Sequence, residues 1–136
     1  MARHYQRDYI YGVQQQSNIH NTLKEYFRSD TFKSTKGQYC KYDFEDDNCI
    51  FELKSRKCNK NLYDTTLLTC NKIINTSKQQ IFIFNFIDEI CYLKYDEEIF
   101  KTFEKKLYSR TNDDSLMLEY FFVPLANLTT IKKKIE

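Results

Sequence analysis

The chain has 136 residues, of which 41% are hydrophobic, 29% charged and 16% aromatic. This is enough apolar surface for one folded domain, and it excludes disorder over most of the length. Two Gly and one Pro exclude collagen-like sequence and the glycine-rich loops that cradle phosphates in nucleotide-binding folds. The net charge of +2 is too small for a protein that holds polyanions by charge alone.

The start of the chain and its cysteines indicate a cellular compartment. The first residues, MARHYQRDY, are not a secretory signal, and no apolar run approaches the length of a membrane span. The five cysteines form an odd set without a C-x-x-C pair: Cys40, Cys49, Cys58, Cys70 and Cys91. We therefore expect an intracellular protein, neither secreted nor membrane-bound, with reduced thiols and no zinc site.

Apolar spacing and turn residues predict a mixed α/β domain. Residues 1–11 are predicted to be a flexible N-terminal arm, 12–126 a single domain, and 127–136 a short C-terminal helix and basic tail. Helical spacing occurs in Tyr11–Phe27, Asn61–Ile74 and Glu97–Ser109, the last with Asp96 as its N-cap. Strand patterns occur in Thr31–Lys36, Gln38–Glu45, Cys49–Arg56, Gln80–Ile87, Ile90–Tyr95 and Leu116–Pro124. Because Gln80–Ile87 is apolar on both faces, we expect it at the centre of the sheet.

The charges are segregated along the predicted hairpin. Four acids (Asp43, Glu45, Asp46 and Asp47) lie within residues 43–47, and four bases (Lys54, Arg56, Lys57 and Lys60) lie within residues 54–60. A loop of two residues (Asp47-Asn48) or four (Asp46–Cys49) pairs Asp43 with Glu52 and turns the apolar side chains of both strands to the core, whereas a three-residue loop would place Asp43 among those aromatic residues. The two carboxylates then have Cβ atoms about 5 Å apart on one face.

Two ionised carboxylates this close repel each other unless a cation lies between them. Mg²⁺ is commonly held by one or two carboxylates together with water and substrate phosphate. Lys54 lies on the same face and can offset charge at a phosphate, while Arg56, Lys57 and Lys60 can bind a phosphate backbone. The pattern predicts a metal-assisted phosphodiesterase site.

The segments KYDF (Lys41–Phe44) and FELKSR (Phe51–Arg56) resemble the PD-(D/E)xK, or restriction-endonuclease-like, nuclease superfamily. The resemblance covers roughly residues 10–125, and the region around the hairpin is also similar to small nuclease-like proteins of large DNA viruses. It implies a restriction-endonuclease-like core with a mixed central β-sheet flanked by helices. The implied order is αβββαβ with C-terminal β-α-β additions.

The resemblance also implies an activity and its residues. It implies a Mg²⁺-dependent endonuclease, with Mn²⁺ as a substitute, that acts on DNA in preference to RNA. Asp43 and Glu52 would be the metal ligands and Lys54 the catalytic lysine. Gln16 stands where many members carry a first-helix Glu, while Tyr63 and Lys72 would face the substrate groove. Relatives that cut two strands often dimerise, so a homodimer is an option. The expected location is inside the cell, in the host cytoplasm or nucleus if the protein is viral.

Other interpretations of the same residues remain open. Asp43 and Glu52 are also typical of solvent-facing hairpin acids that pair with Lys41 and Lys54. The bases that follow are equally typical of a solvated loop. The fold could therefore belong to a catalytically weak or inactive protein that binds nucleic acid or another protein, or to a structural protein. Whether a substrate is DNA or RNA, whether it is single- or double-stranded, and which sequence is cut stay open as well.

Overall fold

The structure is a computed structural model that describes residues 2–35, 41–109 and 117–134. A long helix, α1 (Ala2–Tyr26), opens the chain, and a single-turn helix, α2 (Glu97–Phe100), follows much later. The strands are β1 (Lys33–Ser34), β2 (Phe44–Glu45), β3 (Cys49–Ser55), β4 (Thr65–Thr69), β5 (Gln79–Asn85), β6 (Glu89–Lys94), β7 (Glu104–Tyr108), β8 (Leu118–Pro124) and β9 (Thr129–Lys133). Short 3-10 turns occupy Lys60–Leu62, Cys70–Lys72 and Leu125–Asn127.

The strands form two sheets. The larger sheet has the order β1-β2-β3-β5-β6-β9, in which β3 and β5 are parallel and the other neighbours antiparallel. The smaller sheet is antiparallel with the order β4-β8-β7. The predicted mixed α/β class with a mixed sheet is confirmed, although strands make up more of the domain than expected.

The central strand β5 separates two hydrophobic cores, as its doubly apolar pattern predicts. Phe82, Phe84 and the following Phe86 are buried on the face that the smaller sheet covers, where they pack with Leu68 and Val123. Ile81 and Ile83 are buried on the opposite face, where they pack with Ile19 and Leu23 of α1. Burial of these side chains on both faces fixes α1 and the smaller sheet on opposite sides of β3 and β5.

The second helix of the predicted αβββαβ order is absent from the described residues. Asn61–Ile74 forms β4 between two 3-10 turns. Apolar spacing alone does not separate a short strand from a helix, and in β4 the buried positions alternate, with Thr66 and Leu68 inward. Its three Thr residues favour a strand because they are β-branched. The crossover from β3 to β5 is therefore built from a strand of the smaller sheet.

The third predicted helix, Glu97–Ser109, is also mostly wrong. Asp96 is the N-cap as predicted, because its Oδ1 accepts hydrogen bonds from the amides of Glu98 and Ile99. However, the helix ends at Phe100, and β7 follows and pairs with β8 along its whole length. Pairing across the smaller sheet outweighs the local helical preference of this segment.

Both ends of the chain differ from the prediction. The segment predicted as an arm belongs to α1 from Ala2 onward. The helix predicted for residues 127–136 is instead a 3-10 turn followed by β9, which pairs with β6 at the edge of the larger sheet. Residues 36–40, with Cys40 and the start of the predicted strand Gln38–Glu45, lie outside the described residues, as does Leu116. In the described ranges, no helix is both long and apolar enough to cross a membrane.

Candidate metal and nucleic-acid site

The hairpin that carries the candidate acids has the predicted register. Phe44 lies opposite Phe51 and Glu45 opposite Ile50. The turn is closed by Asp46, whose amide donates to the Cys49 carbonyl at 2.9 Å and whose Oδ1 accepts from the Cys49 amide at 2.7 Å. Because Asp46 is buried and satisfies turn amides, this acid has a structural function in the turn.

Asp43 lies where the short ladder between β2 and β3 ends. Its amide donates to the Phe51 carbonyl at 2.9 Å. Its Oδ2 accepts from the Leu53 amide at 2.7 Å, and its Oδ1 accepts from Nε2 of Gln16 at 2.5 Å. The carboxylate is thus held between β3 and α1. Gln16, the site residue predicted on the first helix, contacts Asp43, the predicted metal ligand.

Glu52 and Lys54 share the face of β3 opposite Phe51 and Leu53, as strand alternation requires. Nζ of Lys54 lies 3.0 Å from Oε1 of Glu52. Nζ of Lys72, in the 3-10 turn after β4, lies 3.5 Å from the same oxygen. Glu52 is only 7% exposed, so two cations surround a nearly buried carboxylate.

The two carboxylates influence each other electrostatically. Burial, followed by the negative charge of Glu52, raises the pKa of Asp43 to about 6. The Leu53 amide and the charges of Lys54 and Lys72 act in the opposite direction. Burial also lowers the pKa of Lys54, against the attraction of Glu52. A partly buried acid with a raised pKa beside a lysine with a lowered one is typical of functional sites, and structural ion pairs produce similar shifts.

The donor atoms fit a hard divalent cation. Carboxylate oxygens are the ligands that Mg²⁺ prefers. Both lysines contact Oε1 of Glu52, and no described residue donates to its Oε2. Each oxygen of Asp43 accepts one hydrogen bond, and a carboxylate oxygen has two lone pairs. Among the described residues there is no group of three or more His, Cys, Asp or Glu that could hold a metal ion. Water and substrate phosphate would therefore complete the coordination.

Most of the predicted nucleic-acid-binding residues line one cleft of about 850 Å³, between α1, the end of β3 and the smaller sheet. These residues are Arg56, Lys57, Lys60 and Tyr63, and Gln16 lines the cleft as well. Lys72 does not line it and instead contacts Glu52. Tyr63 follows a 3-10 turn and is 66% exposed, so it is not on the helix predicted for it.

The basic residues of the cleft have partners within the chain. The Arg56 guanidinium donates to the Leu67 carbonyl. Nζ of Lys57 lies 5.0 Å from the centre of the Tyr11 ring. Nζ of Lys60 lies 3.3 Å from Oε1 of Glu89, and this ion pair reduces the charge that Lys60 offers to a ligand. The interpretation as a purely solvated loop is therefore incomplete, since each base has a defined contact.

The structure adds residues that the sequence pattern did not single out. Leu53 contributes its backbone amide to Asp43, which no side-chain motif reveals. Tyr11 and Tyr108 line the cleft, but they lie in segments predicted as a helix start and a helix end. Glu52 pairs with Lys54, as in the alternative of solvent-facing hairpin acids, but Glu52 is nearly buried and Asp43 contacts Gln16 and Leu53. No protein-family model, curated protein or solved structure matches this chain.

Proposed function

We propose that the protein is a metal-dependent nuclease that hydrolyses nucleic-acid phosphodiester bonds. One observation carries this proposal: the partly buried carboxylate of Asp43 lies close enough to the nearly buried Glu52 for Glu52 to raise its pKa, and Nζ of Lys54 lies 3.0 Å from Oε1 of Glu52. The sequence spacing of these three residues is that of the PD-(D/E)xK motif. The lack of a matching relative leaves the geometry of the site as the basis of the proposal.

Each residue has a defined part in the proposed reaction. Asp43 and Glu52 would hold Mg²⁺, with Mn²⁺ as a substitute, and a bound Mg²⁺ would supply a water of lowered pKa and polarise the phosphate. Asp43 is oriented by the Leu53 amide and Gln16. Lys54 can shift its ammonium from Glu52 to a phosphate oxygen and stabilise the negative charge that develops there. Lys72 can remain paired with Oε1 of Glu52 during that shift.

We include a restriction-endonuclease-like core in the proposal. It is supported by the order of α1, β1, β2 and β3, followed by β5 parallel to β3. The strand β4 in place of the second helix departs from that core. DNA as the preferred substrate, a homodimer and an intracellular location, in the host cytoplasm or nucleus if viral, belong to the same proposal.

The proposal is tested by cleavage of end-labelled DNA and RNA, single- and double-stranded, with Mg²⁺, with Mn²⁺ and with a chelator. We expect metal-dependent products from the wild type and a loss of about 100-fold or more in rate for Asp43→Asn and Lys54→Met. The matched control is Asp47→Asn, since Asp47 is an exposed acid of the same hairpin. Equal rates for the wild type and Asp43→Asn would refute the assignment.

A second function has its own support. Gln16 supplies an amide to Asp43 where many members of the superfamily carry a further acid, and two lysines already neutralise Glu52. A site with one acid fewer binds a divalent cation more weakly. The alternative is a catalytically weak or inactive nuclease-fold protein that binds nucleic acid or another protein. It predicts no metal-dependent cleavage by the wild type and nucleic-acid binding that survives in Asp43→Asn.

A further inference from the structure

The cleft beside Asp43 combines positive charge with exposed aromatic rings. Among the described residues that line it there is no Asp or Glu, whereas Arg56, Lys57 and Lys60 all contribute. Tyrosine rings enter it from separate elements, namely Tyr63 after a 3-10 turn and Tyr108 at the end of β7. The charge of the lining therefore complements a polyanion, and the rings add flat apolar surfaces to it.

We propose that this cleft binds a single strand of nucleic acid, with unpaired bases stacked on Tyr63 and Tyr108 and the backbone beside Arg56 and Lys57. The inference rests on the proposed function in that the bound strand is taken to be the substrate of the Asp43 site. It goes further by naming the form of nucleic acid that the protein selects.

Exposure of the rings favours a single strand over a duplex. Tyr63 is 66% exposed and Tyr108 45% exposed, so much of their surface is available to a ligand. Bases in a duplex are stacked on each other and present only their edges, whereas unpaired bases present a π-face that stacks on aromatic side chains. A positively charged groove that also carries exposed aromatic rings is the usual means of binding single strands.

The size of the cleft also favours a single strand over a duplex. Its volume of about 850 Å³ lies within the range of roughly 300–1,000 Å³ that encloses a small organic molecule. A few unpaired nucleotides fit such a space. A duplex is broader than its own major groove, which is about 12 Å wide, so a cleft of this size would not enclose it.

The positive groups are held where a backbone could pass. Donation to the Leu67 carbonyl anchors the Arg56 guanidinium, which remains charged. The ammonium of Lys57 lies 5.0 Å from the centre of the Tyr11 ring, which also lines the cleft. The ammonium of Lys57 is thus placed over an aromatic surface in the cleft. Lys60 contributes less because Glu89 pairs with it.

Two residues connect the cleft to the acidic site. Gln16 lines the cleft and donates to Oδ1 of Asp43. Leu53 also lines the cleft, and its amide donates to Oδ2 of the same carboxylate. Asp43, Glu52 and Lys54 do not line the cleft themselves, so a strand in the cleft would be separated from Asp43 by its two hydrogen-bond partners, Gln16 and Leu53.

The test uses the absence of Trp from the chain, which makes Tyr63→Trp a single-tryptophan reporter. A single-stranded oligonucleotide and its matched duplex are titrated, in a chelator that prevents cleavage, while Trp fluorescence and the anisotropy of a labelled oligonucleotide are followed. We expect single-strand binding at least tenfold tighter than duplex binding, with quenching of Trp by stacked bases. Tyr63→Ala should weaken single-strand binding about tenfold, whereas Tyr63→Phe should retain it.

Tyr26→Ala is the control, because Tyr26 is an exposed tyrosine of α1 that does not line the cleft. Circular dichroism verifies that each variant is folded. Equal or tighter binding of the duplex, or unchanged binding by Tyr63→Ala, would overturn the inference. Single-strand binding without metal-dependent cleavage of any substrate would support the cleft and refute the nuclease. Duplex cleavage without preferential binding of single strands would support the nuclease and refute the cleft as a single-strand site.

Discussion

Replacement of Asp43 by Asn is expected to stabilise the metal-free protein at neutral pH. Asp43 is partly buried beside Glu52, and its pKa rises from an ordinary value of 3.8 to about 6. The native state therefore favours the protonated carboxyl, and its ionisation above pH 6 destabilises the fold. Asn carries no charge, yet its oxygen can accept from the Leu53 amide while its NH₂ group donates to a reoriented Gln16 amide.

The magnitude follows from the pKa difference. Each pKa unit corresponds to about 1.4 kcal/mol, so a rise from 3.8 to about 6 corresponds to about 3 kcal/mol. The sign is that of a raised pKa: this contribution to stability is complete below pH 3.8 and is lost as the pH rises through about 6. Because pH 4 already lies slightly above 3.8, the free energy of unfolding of Asp43→Asn relative to the wild type should increase by about 2.5 kcal/mol between pH 4 and pH 7.5.

Urea unfolding in a chelator at pH 4 and pH 7.5 measures this difference. Asp47→Asn is the control, because Asp47 is exposed in the same hairpin and its replacement should change stability by less than about 0.5 kcal/mol at both pH values. A difference between Asp43→Asn and the wild type that does not change with pH would refute the idea that burial and the charge of Glu52 raise the pKa of Asp43.

Three further predictions concern the same region. Gln16→Glu adds a third acid beside Asp43 and should increase Mg²⁺ affinity about tenfold or more, as measured by calorimetric titration. Unchanged affinity would mean that the side chain at position 16 does not reach the bound metal. Lys54→Met should retain Mg²⁺ binding but abolish cleavage, and loss of binding would indicate that Lys54 mainly organises Glu52. Leu23→Ala, in the fully buried contact of α1 with the sheet, should cost about 2–5 kcal/mol in urea unfolding, and a cost below about 1 kcal/mol would mean that α1 packs differently.

The hairpin was predictable from the sequence because several constraints agree there. The register follows from the alternation of Phe44, Phe51 and Leu53 with charged residues, since a shift by one residue would bury Asp43 among aromatic rings. The same alternation places Glu52 and Lys54 on one face. The position of Gln16 beside Asp43 agrees with what the family resemblance implies for the first helix.

The smaller sheet was not predictable in the same way. The spacing of apolar residues around Leu67 and Leu107 fits a helix as well as a strand, and the deciding factor is pairing with β8, which is distant in sequence from β4. The cleft depends on that sheet, because Tyr108 reaches it from β7. The local sequence pattern therefore indicated Asp43 and Glu52, whereas the surface proposed for nucleic acid depends on strand pairing in the smaller sheet.

The position of a bound metal ion tests most directly whether Asp43 and Glu52 form a metal site. Crystals of the protein soaked in Mn²⁺ would reveal the ion by its anomalous scattering. We expect one peak between Asp43 and Glu52, about 2.1 Å from a carboxylate oxygen of each, with Lys54 displaced from Oε1 or adjacent to the ion's water ligands. A Mn²⁺ peak elsewhere, or none at these carboxylates at saturating Mn²⁺, would contradict this expectation.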